Sequence, residues 1–249
     1  MKRCAGFVAI LYFLTIVGWV IFNIAYSNFR PYIPVPFKSN LGSEGASVAQ
    51  GLLYDTNHFA VIGFDHGTKG LMFLISMIIP IALFSMLHKK TYQLGANLVA
   101  LVSGTLSFFI MSVSFILQAT LAEYSIHLFK VSHGLFQRDF AIYLFDWAIQ
   151  QGGLSDSLYT IANILLSVWL LIHSFAIRKT FDKRAIFYIG VVWAILTIIT
   201  QATVFWYLIQ GIDTVSFLAQ AVVMIGPVWM LLVGIWLLRT KDSQPALTP

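Results

Sequence analysis

Six runs of mostly apolar residues are each long enough to cross the hydrocarbon core of a bilayer, and they constrain the fold more than any other feature of the chain. A spanning helix needs about 20 such residues. Only helices or closed barrels can satisfy their backbone polar groups in lipid, and the runs lack the short alternating segments of barrel strands. We therefore predict an all-α integral membrane protein. Its six transmembrane helices are expected at 6–27, 70–88, 94–122, 157–177, 185–209 and 215–238.

The composition excludes a soluble globular protein. Of the 249 residues, 59% are hydrophobic and 10% are charged, and the mean hydropathy is +0.83. Ordinary soluble domains contain far more charge. We treat 1–249 as a single polytopic domain whose main partner is the lipid bilayer. The first run also resembles a signal peptide, but its apolar length exceeds a typical signal-peptide core, and we predict a retained helix.

The basic residues divide unequally between the two ends of the predicted helices. With the N-terminus inside, ten of the fifteen Lys and Arg residues lie on the cytoplasmic side with two of the ten acids. The inner set is Lys2, Arg3, Lys89, Lys90, Arg178, Lys179, Lys183, Arg184, Arg239 and Lys241, and the outer set is Arg30, Lys38, Lys69, Lys130 and Arg138. Because short cytoplasmic loops retain positive charge, we predict that both termini are cytoplasmic. This explains the net charge of +5 without a nucleic-acid partner.

Two long connections are expected on the outer side. The first is the loop 28–69, whose first part carries three closely spaced prolines and favours an extended backbone. The second includes an amphipathic helix at about 135–151, with Phe136, Tyr143 and Trp147 at helical spacing. Such a helix is typical of one lying in the membrane interface. The layout is similar to that of many small bacterial six-helix membrane proteins, which implies a bacterial inner membrane.

Small and amide residues form a polar stripe along each predicted span. In the third span they recur at steps of three and four, which places them on one helix face. One interpretation is close helix packing with hydrogen bonds between helices. The other is a polar cavity that binds a small amphiphilic ligand. The amides expected to face such a ligand are Asn97, Gln118, Asn163, Gln201 and Gln220.

The predicted spans hold no acid or base near their middle, which disfavours a proton-coupled transporter. The sequence also lacks the common hydrolase, zinc-protease and phosphate-loop motifs. Histidine is therefore the remaining residue type with chemistry to offer. At the outer side, Asp65 and His66 precede the second span and His127 follows the third. If those helices are neighbours, these three side chains would form a metal site for zinc, copper or iron.

The alternative to a metal site is that residues 56–70 are only the polar end of a membrane helix. Replacing His66 with Ala would then leave the fold and any activity nearly unchanged. On the inner side, His88 and His173 lie on separate helices at similar depth, and membrane cytochromes use such pairs as axial haem ligands.

The favoured function is a multi-pass, non-enzymatic binding, assembly or permease-like protein that handles a small amphiphile or a membrane-protein partner, with no cofactor expected. The alternative is a membrane redox or metal protein that uses its histidines. A third possibility is a lipid hydrolase in which a metal at Asp65, His66 and His127 activates water. It requires the same metal site.

Overall fold

The computed structural model describes residues 1–28, 49, 52–53, 59–88, 94–131, 134–150, 153–210 and 216–240. Among these residues the regular structure is helical and no strand occurs. The helices are α1 (Lys2–Asn28), α2 (Phe59–Ser76), α3 (Ile78–Leu87), α4 (Leu94–Val131), α5 (Leu135–Phe145), α6 (Leu154–Phe181), α7 (Arg184–Gln210) and α8 (Ser216–Arg239), and α5 continues into a π-helical turn at Asp146–Gln150. Most of the predicted outer loop 28–69 lies outside the described residues.

Five described segments are long and apolar enough to cross a membrane. They are Lys2–Phe22, Gly63–Leu87, Leu94–Val131, Ser157–Phe181 and Arg184–Thr203. The prediction of an all-helical fold is thus confirmed for the described residues, and the lengths and compositions of these helices fit an integral membrane protein. The sixth predicted span coincides with α8, whose described apolar segment, Met224–Arg239, is shorter than the other five.

Helix α4 buries a stripe of small polar and amide residues and exposes apolar residues on another face. Asn97, Ser107 and Gln118 are buried, whereas Leu98 and Val102 are exposed. This is the reverse of a soluble helix and the pattern expected in lipid, where small polar residues allow helices to approach closely. Exposed apolar side chains at this density indicate a surface that contacts bilayer rather than water.

The second span is made of two helices, and a proline explains the break. Residues Gly63–Leu87 are helical except at the turn residue Met77. Pro80 lies in the first turn of α3 and has no N–H to donate to the carbonyl of Ser76. The backbone hydrogen bonding is therefore interrupted one turn before the proline.

Helices α6 and α7 are joined by a two-residue turn. Asp182 adopts a left-handed conformation with φ 51°, and its N–H donates to the carbonyl of Arg178 at 3.1 Å. The carboxylate of Asp182 also pairs with Arg178. Left-handed residues commonly end helices in this way, and Asp tolerates the conformation better than most residues.

The chain forms two compact units. Unit 1 contains Met1–Val17, Ile75–Phe108 and Asn163–Pro249, and unit 2 contains Gly18–Leu74 and Phe109–Ala162. In unit 1, the rings of Trp169 and Trp229 pack edge to face at 5.2 Å, and Gly104 lies against Trp169. Glycine is required there because a Cβ on residue 104 would lie 2.6 Å from Cδ1 of Trp169.

In unit 2, one face of α5 packs against the end of α4. Ala141, Ile142 and Phe145 form a buried cluster with Ile126 and Phe129. The opposite face is exposed, with Phe136 at 83%. The helix predicted at about 135–151 therefore exists and has a buried and an exposed face.

Candidate functional site

The candidate site lies in unit 2 and begins with an ion pair inside α2. This helix starts at Phe59, well before residue 70, where the sequence predicted the span to begin. The extra turns place Asp65 and Lys69 four residues apart on one helix face, the spacing at which an acid followed by a base attracts best. Nζ of Lys69 donates to Oδ2 of Asp65 at 2.6 Å.

Both charges lie inside the apolar segment Gly63–Leu87. Lys69 is 5% exposed, and the Asp65 side chain is 16% exposed. An isolated Lys or Asp at the centre of a membrane helix costs about 2.5–3.5 kcal/mol on insertion scales, so such groups are usually paired. The sequence prediction concerned the middle of each span, whereas Asp65 and Lys69 lie near the beginning of Gly63–Leu87.

Aromatic rings surround the ammonium group. Nζ of Lys69 lies 3.9 Å from the ring centroid of Trp19 and 5.4 Å from that of Phe115. Phe73 stacks on Phe115 with centroids 5.4 Å apart, and the rings of Tyr159 and Phe115 pack edge to face at a centroid distance of 5.3 Å. A cation over such a ring gains about 0.5–2 kcal/mol, depending on its desolvation.

His66 lies beside the ion pair. Its Nδ1 is 3.4 Å from Oδ2 of Asp65, and its ring meets Phe115 at a centroid distance of 6.0 Å. Replacement of His66 with Ala would remove this aromatic contact. The interpretation of 56–70 as only the polar end of a membrane helix did not include this contact between His66 and Phe115.

A close helix contact holds the ion pair against its aromatic wall. Oγ of Ser112 in α4 donates to the carbonyl of Gly70 at 2.7 Å. A Cβ on Gly70 would lie 2.9 Å from Cγ1 of Ile116, so glycine allows α2 to approach α4 this closely. Lys69 is the residue before Gly70, and the contact therefore places its side chain beside Phe115.

The site is suited to recognising charge. It combines one carboxylate, one ammonium group and several π faces. The site was not predictable from hydropathy, which places the residues up to 69 in the outer loop. The four-residue spacing of Asp65 and Lys69 is visible in the sequence, but nothing local identifies Trp19 and Phe115 as their neighbours.

The amides predicted to bind a ligand lie in both units. Gln118 belongs to unit 2, and Asn97, Asn163, Gln201 and Gln220 belong to unit 1. Asn97, Gln118 and Gln201 are buried and Asn163 is half-buried. The side chain of Gln220 lies outside the described residues.

Several hydroxyl groups in the polar stripes bond within their own helix. Ser103 donates to the carbonyl of Val99 at 2.7 Å, and Thr197 donates to that of Trp193 at 2.8 Å. Ser and Thr often form this bond to the preceding turn. These two hydroxyls are thereby satisfied without a bond across the helix interface.

The predicted metal ligands do not form a metal-binding group in the described part of the chain. No three His, Cys, Asp or Glu side chains lie close enough there to hold an ion together. Asp65 and His66 are neighbours, and His127 is exposed on α4. Asp65 instead pairs with Lys69.

The predicted haem ligands have different environments within unit 1. Nδ1 of His88 donates to the carbonyl of Phe84 at 3.0 Å, and the His88 ring stacks on that phenylalanine. His173 is 0% exposed, and its ring meets Trp169 edge to face at 5.8 Å. Neither ring nitrogen of His173 has a hydrogen-bond partner among the described residues.

Comparisons with protein-family models, with curated proteins and with solved structures found no match, and the site is therefore interpreted from its own geometry.

Proposed function

We propose that this chain is a multi-pass, non-enzymatic membrane protein of binding or permease-like type, and that it holds a small amphiphile at the Asp65–Lys69 ion pair. The observation that carries the proposal is an ion pair inside an apolar segment, in which the buried Lys69 lies over an aromatic ring and the Asp65 side chain is partly exposed. Ionisable groups within membrane helices commonly mark substrate pathways. The aromatic walls suit the apolar part of an amphiphile, and the charges suit its head group.

The proposed topology has six spans with both termini in the cytoplasm of a bacterial inner membrane. It is supported by the excess of Lys and Arg at the predicted inner ends. In this orientation α2 enters the membrane from the outer side, so Asp65 and Lys69 belong to the outer half of the span. The exposed aromatic face of α5 would contact the outer interface, where such rings are enriched.

The proposal predicts saturable binding of amphiphiles to the protein in phospholipid nanodiscs. The probes are three radiolabelled dodecyl compounds whose heads are trimethylammonium, sulfate and maltoside, measured by scintillation proximity. At least one probe should saturate. Asp65→Asn and Lys69→Met each remove one charge, and at least one of these substitutions should change the affinity for that probe by about tenfold or more, since a charged contact contributes about 1.5–3 kcal/mol.

The matched control is the double substitution Glu123→Gln with Lys130→Met. It removes one acid and one base that are exposed on α4 and should leave binding unchanged. If none of the three probes saturates, the proposed function is wrong. Equal binding by the wild type and by both single variants, Asp65→Asn and Lys69→Met, would place the ligand elsewhere.

A membrane redox protein remains the second candidate, and the observation in its favour is His173. The imidazole of His173 is buried, and neither of its nitrogens has a partner among the described residues. One of these nitrogens could therefore coordinate a metal. An ultraviolet-visible spectrum with elemental analysis on the purified protein tests this candidate. A Soret band or near-stoichiometric iron, copper or zinc would favour it over amphiphile binding.

A further inference from the structure

We propose that the Asp65–Trp19–Phe115 site is an ammonium-recognition site, that Lys69 occupies it as a tethered internal cation, and that amphiphiles with an amine or quaternary ammonium head compete with Lys69 for it. This inference rests on the proposed function and specifies its ligand class.

The electrostatics of the wall favour a cation. In the described part of the chain, the ammonium position is contacted by the Asp65 carboxylate and by the rings of Trp19 and Phe115, and His66 lies beside the carboxylate. Ring faces carry negative potential, and the carboxylate carries a full negative charge. An anionic head group placed there would meet repulsion from all three.

The distances match those of ammonium recognition. The Lys69 nitrogen lies 2.6 Å from the carboxylate oxygen and 3.9 Å from the Trp19 centroid. Proteins that bind quaternary ammonium ligands use aromatic cages with cations within about 6 Å of ring centroids. Lys69 thus shows which groups an ammonium head of a ligand would contact. A quaternary head has no N–H and would meet Asp65 by charge alone, at a longer distance.

The carboxylate provides the route of entry. The side chains of Asp65 and His66 are 16% and 14% exposed, whereas that of Lys69 is nearly enclosed. A cationic head can therefore reach Asp65 first and then displace the lysine. The lysine is attached by a flexible four-carbon chain, and this allows its ammonium group to withdraw when a competitor arrives.

The inference predicts that removal of Lys69 strengthens binding. A tethered group competes at a high effective concentration, and without it a free ammonium head meets an empty, negatively charged site. Dodecyltrimethylammonium should therefore bind Lys69→Met about tenfold more tightly than the wild type. Asp65→Asn and Trp19→Leu should each weaken it, and dodecyl sulfate should not saturate in any variant.

Lys130→Met is the matched control, because Lys130 is exposed on α4 and lies in the same unit. It should leave the affinity unchanged. Lys69→Gln is measured together with Lys69→Met. The prediction is tested with whichever of these two uncharged variants elutes as a single monodisperse peak.

The outcomes separate this inference from the proposed function. Tighter ammonium binding by the Lys69 variants supports both. Weaker ammonium binding in those variants, or saturation by the sulfate or maltoside probe alone, overturns the ammonium assignment and leaves amphiphile binding intact. Saturation by no probe overturns both proposals together.

Discussion

Each of the two units buries a nitrogen-bearing side chain among aromatic rings, but the two environments differ. In unit 2, the ammonium group of Lys69 has a carboxylate partner and lies over the faces of Trp19 and Phe115. In unit 1, the rings of His173 and Trp169 pack edge to face, and the His173 nitrogens have no hydrogen-bond partner in the described part of the chain. Lys69 interacts through its charge, whereas His173 interacts through the packing of its ring.

This difference indicates where each unit has specific chemistry. A cation that meets a carboxylate and π faces requires a particular geometry, and the same geometry can serve a ligand. Close packing of tryptophan on glycine requires shape complementarity, and it tolerates loss of polarity better than a change in volume. Substitutions at Gly104, Asp65 and His173 test this contrast, in decreasing order of expected effect.

The largest effect is expected from Gly104→Val in unit 1. A Cβ at this position would lie 2.6 Å from Cδ1 of Trp169 and 2.9 Å from Cβ of Pro80, both of which belong to rigid rings. Overpacking of this kind should lower the free energy of unfolding by about 3 kcal/mol. Thermal unfolding in detergent measures it. Gly95→Val, in the same helix with no atom within 4 Å of its Cβ position, should cost far less, and equal losses would contradict the packing argument.

An intermediate effect is expected from Asp65→Asn in unit 2. It leaves the buried Lys69 ammonium without its charged partner and should lower the free energy of unfolding by about 2 kcal/mol. Adding Lys69→Met should recover most of this loss, because the second charge then disappears as well. A double-mutant cycle measured by thermal unfolding gives the coupling energy.

Asp182→Asn in unit 1 is the control for the ion pair. It breaks the more exposed Arg178–Asp182 pair at a position where Asn also tolerates positive φ, and it should cost about 0.5 kcal/mol or less. If both single substitutions cost the same, Asp65 and Lys69 behave as an ordinary surface pair. The contrast between the units would then be lost.

The smallest effect is expected from His173→Phe. Because neither ring nitrogen has a partner among the described residues, an apolar ring of similar size should change the free energy of unfolding by about 1 kcal/mol or less, in either direction. Trp229→Phe is the comparison, since it removes the Nε1 bond to the carbonyl of Ile186 at 3.0 Å. A large loss of stability in His173→Phe would show that the histidine ring makes polar interactions. Disappearance of a Soret band present in the wild type would identify His173 as a haem ligand.

Much of the helical layout was predictable because hydropathy is a property of local windows. Five apolar segments of spanning length lie at predicted spans, and the stripe of α4 from Asn97 to Gln118 is largely buried. The start of α2 was not predictable in this way. Polar residues such as Asp65 and Lys69 lower the mean hydropathy of a window, so the prediction placed the membrane boundary after them.

The sequence by itself determined that the surrounding medium is a lipid bilayer and that the secondary structure is helical. A chain that crosses a bilayer must satisfy its backbone hydrogen bonds internally, and its long apolar runs can do so as helices. What only the tertiary structure decided was which side chains meet. Trp19, Lys69 and Phe115 come from three helices far apart in the chain, and no periodicity within one helix encodes their contact. The approach of α2 to α4 at Gly70 and Ser112 depends on the shapes of both surfaces. That approach places Phe115 beside the lysine and completes the candidate ammonium site.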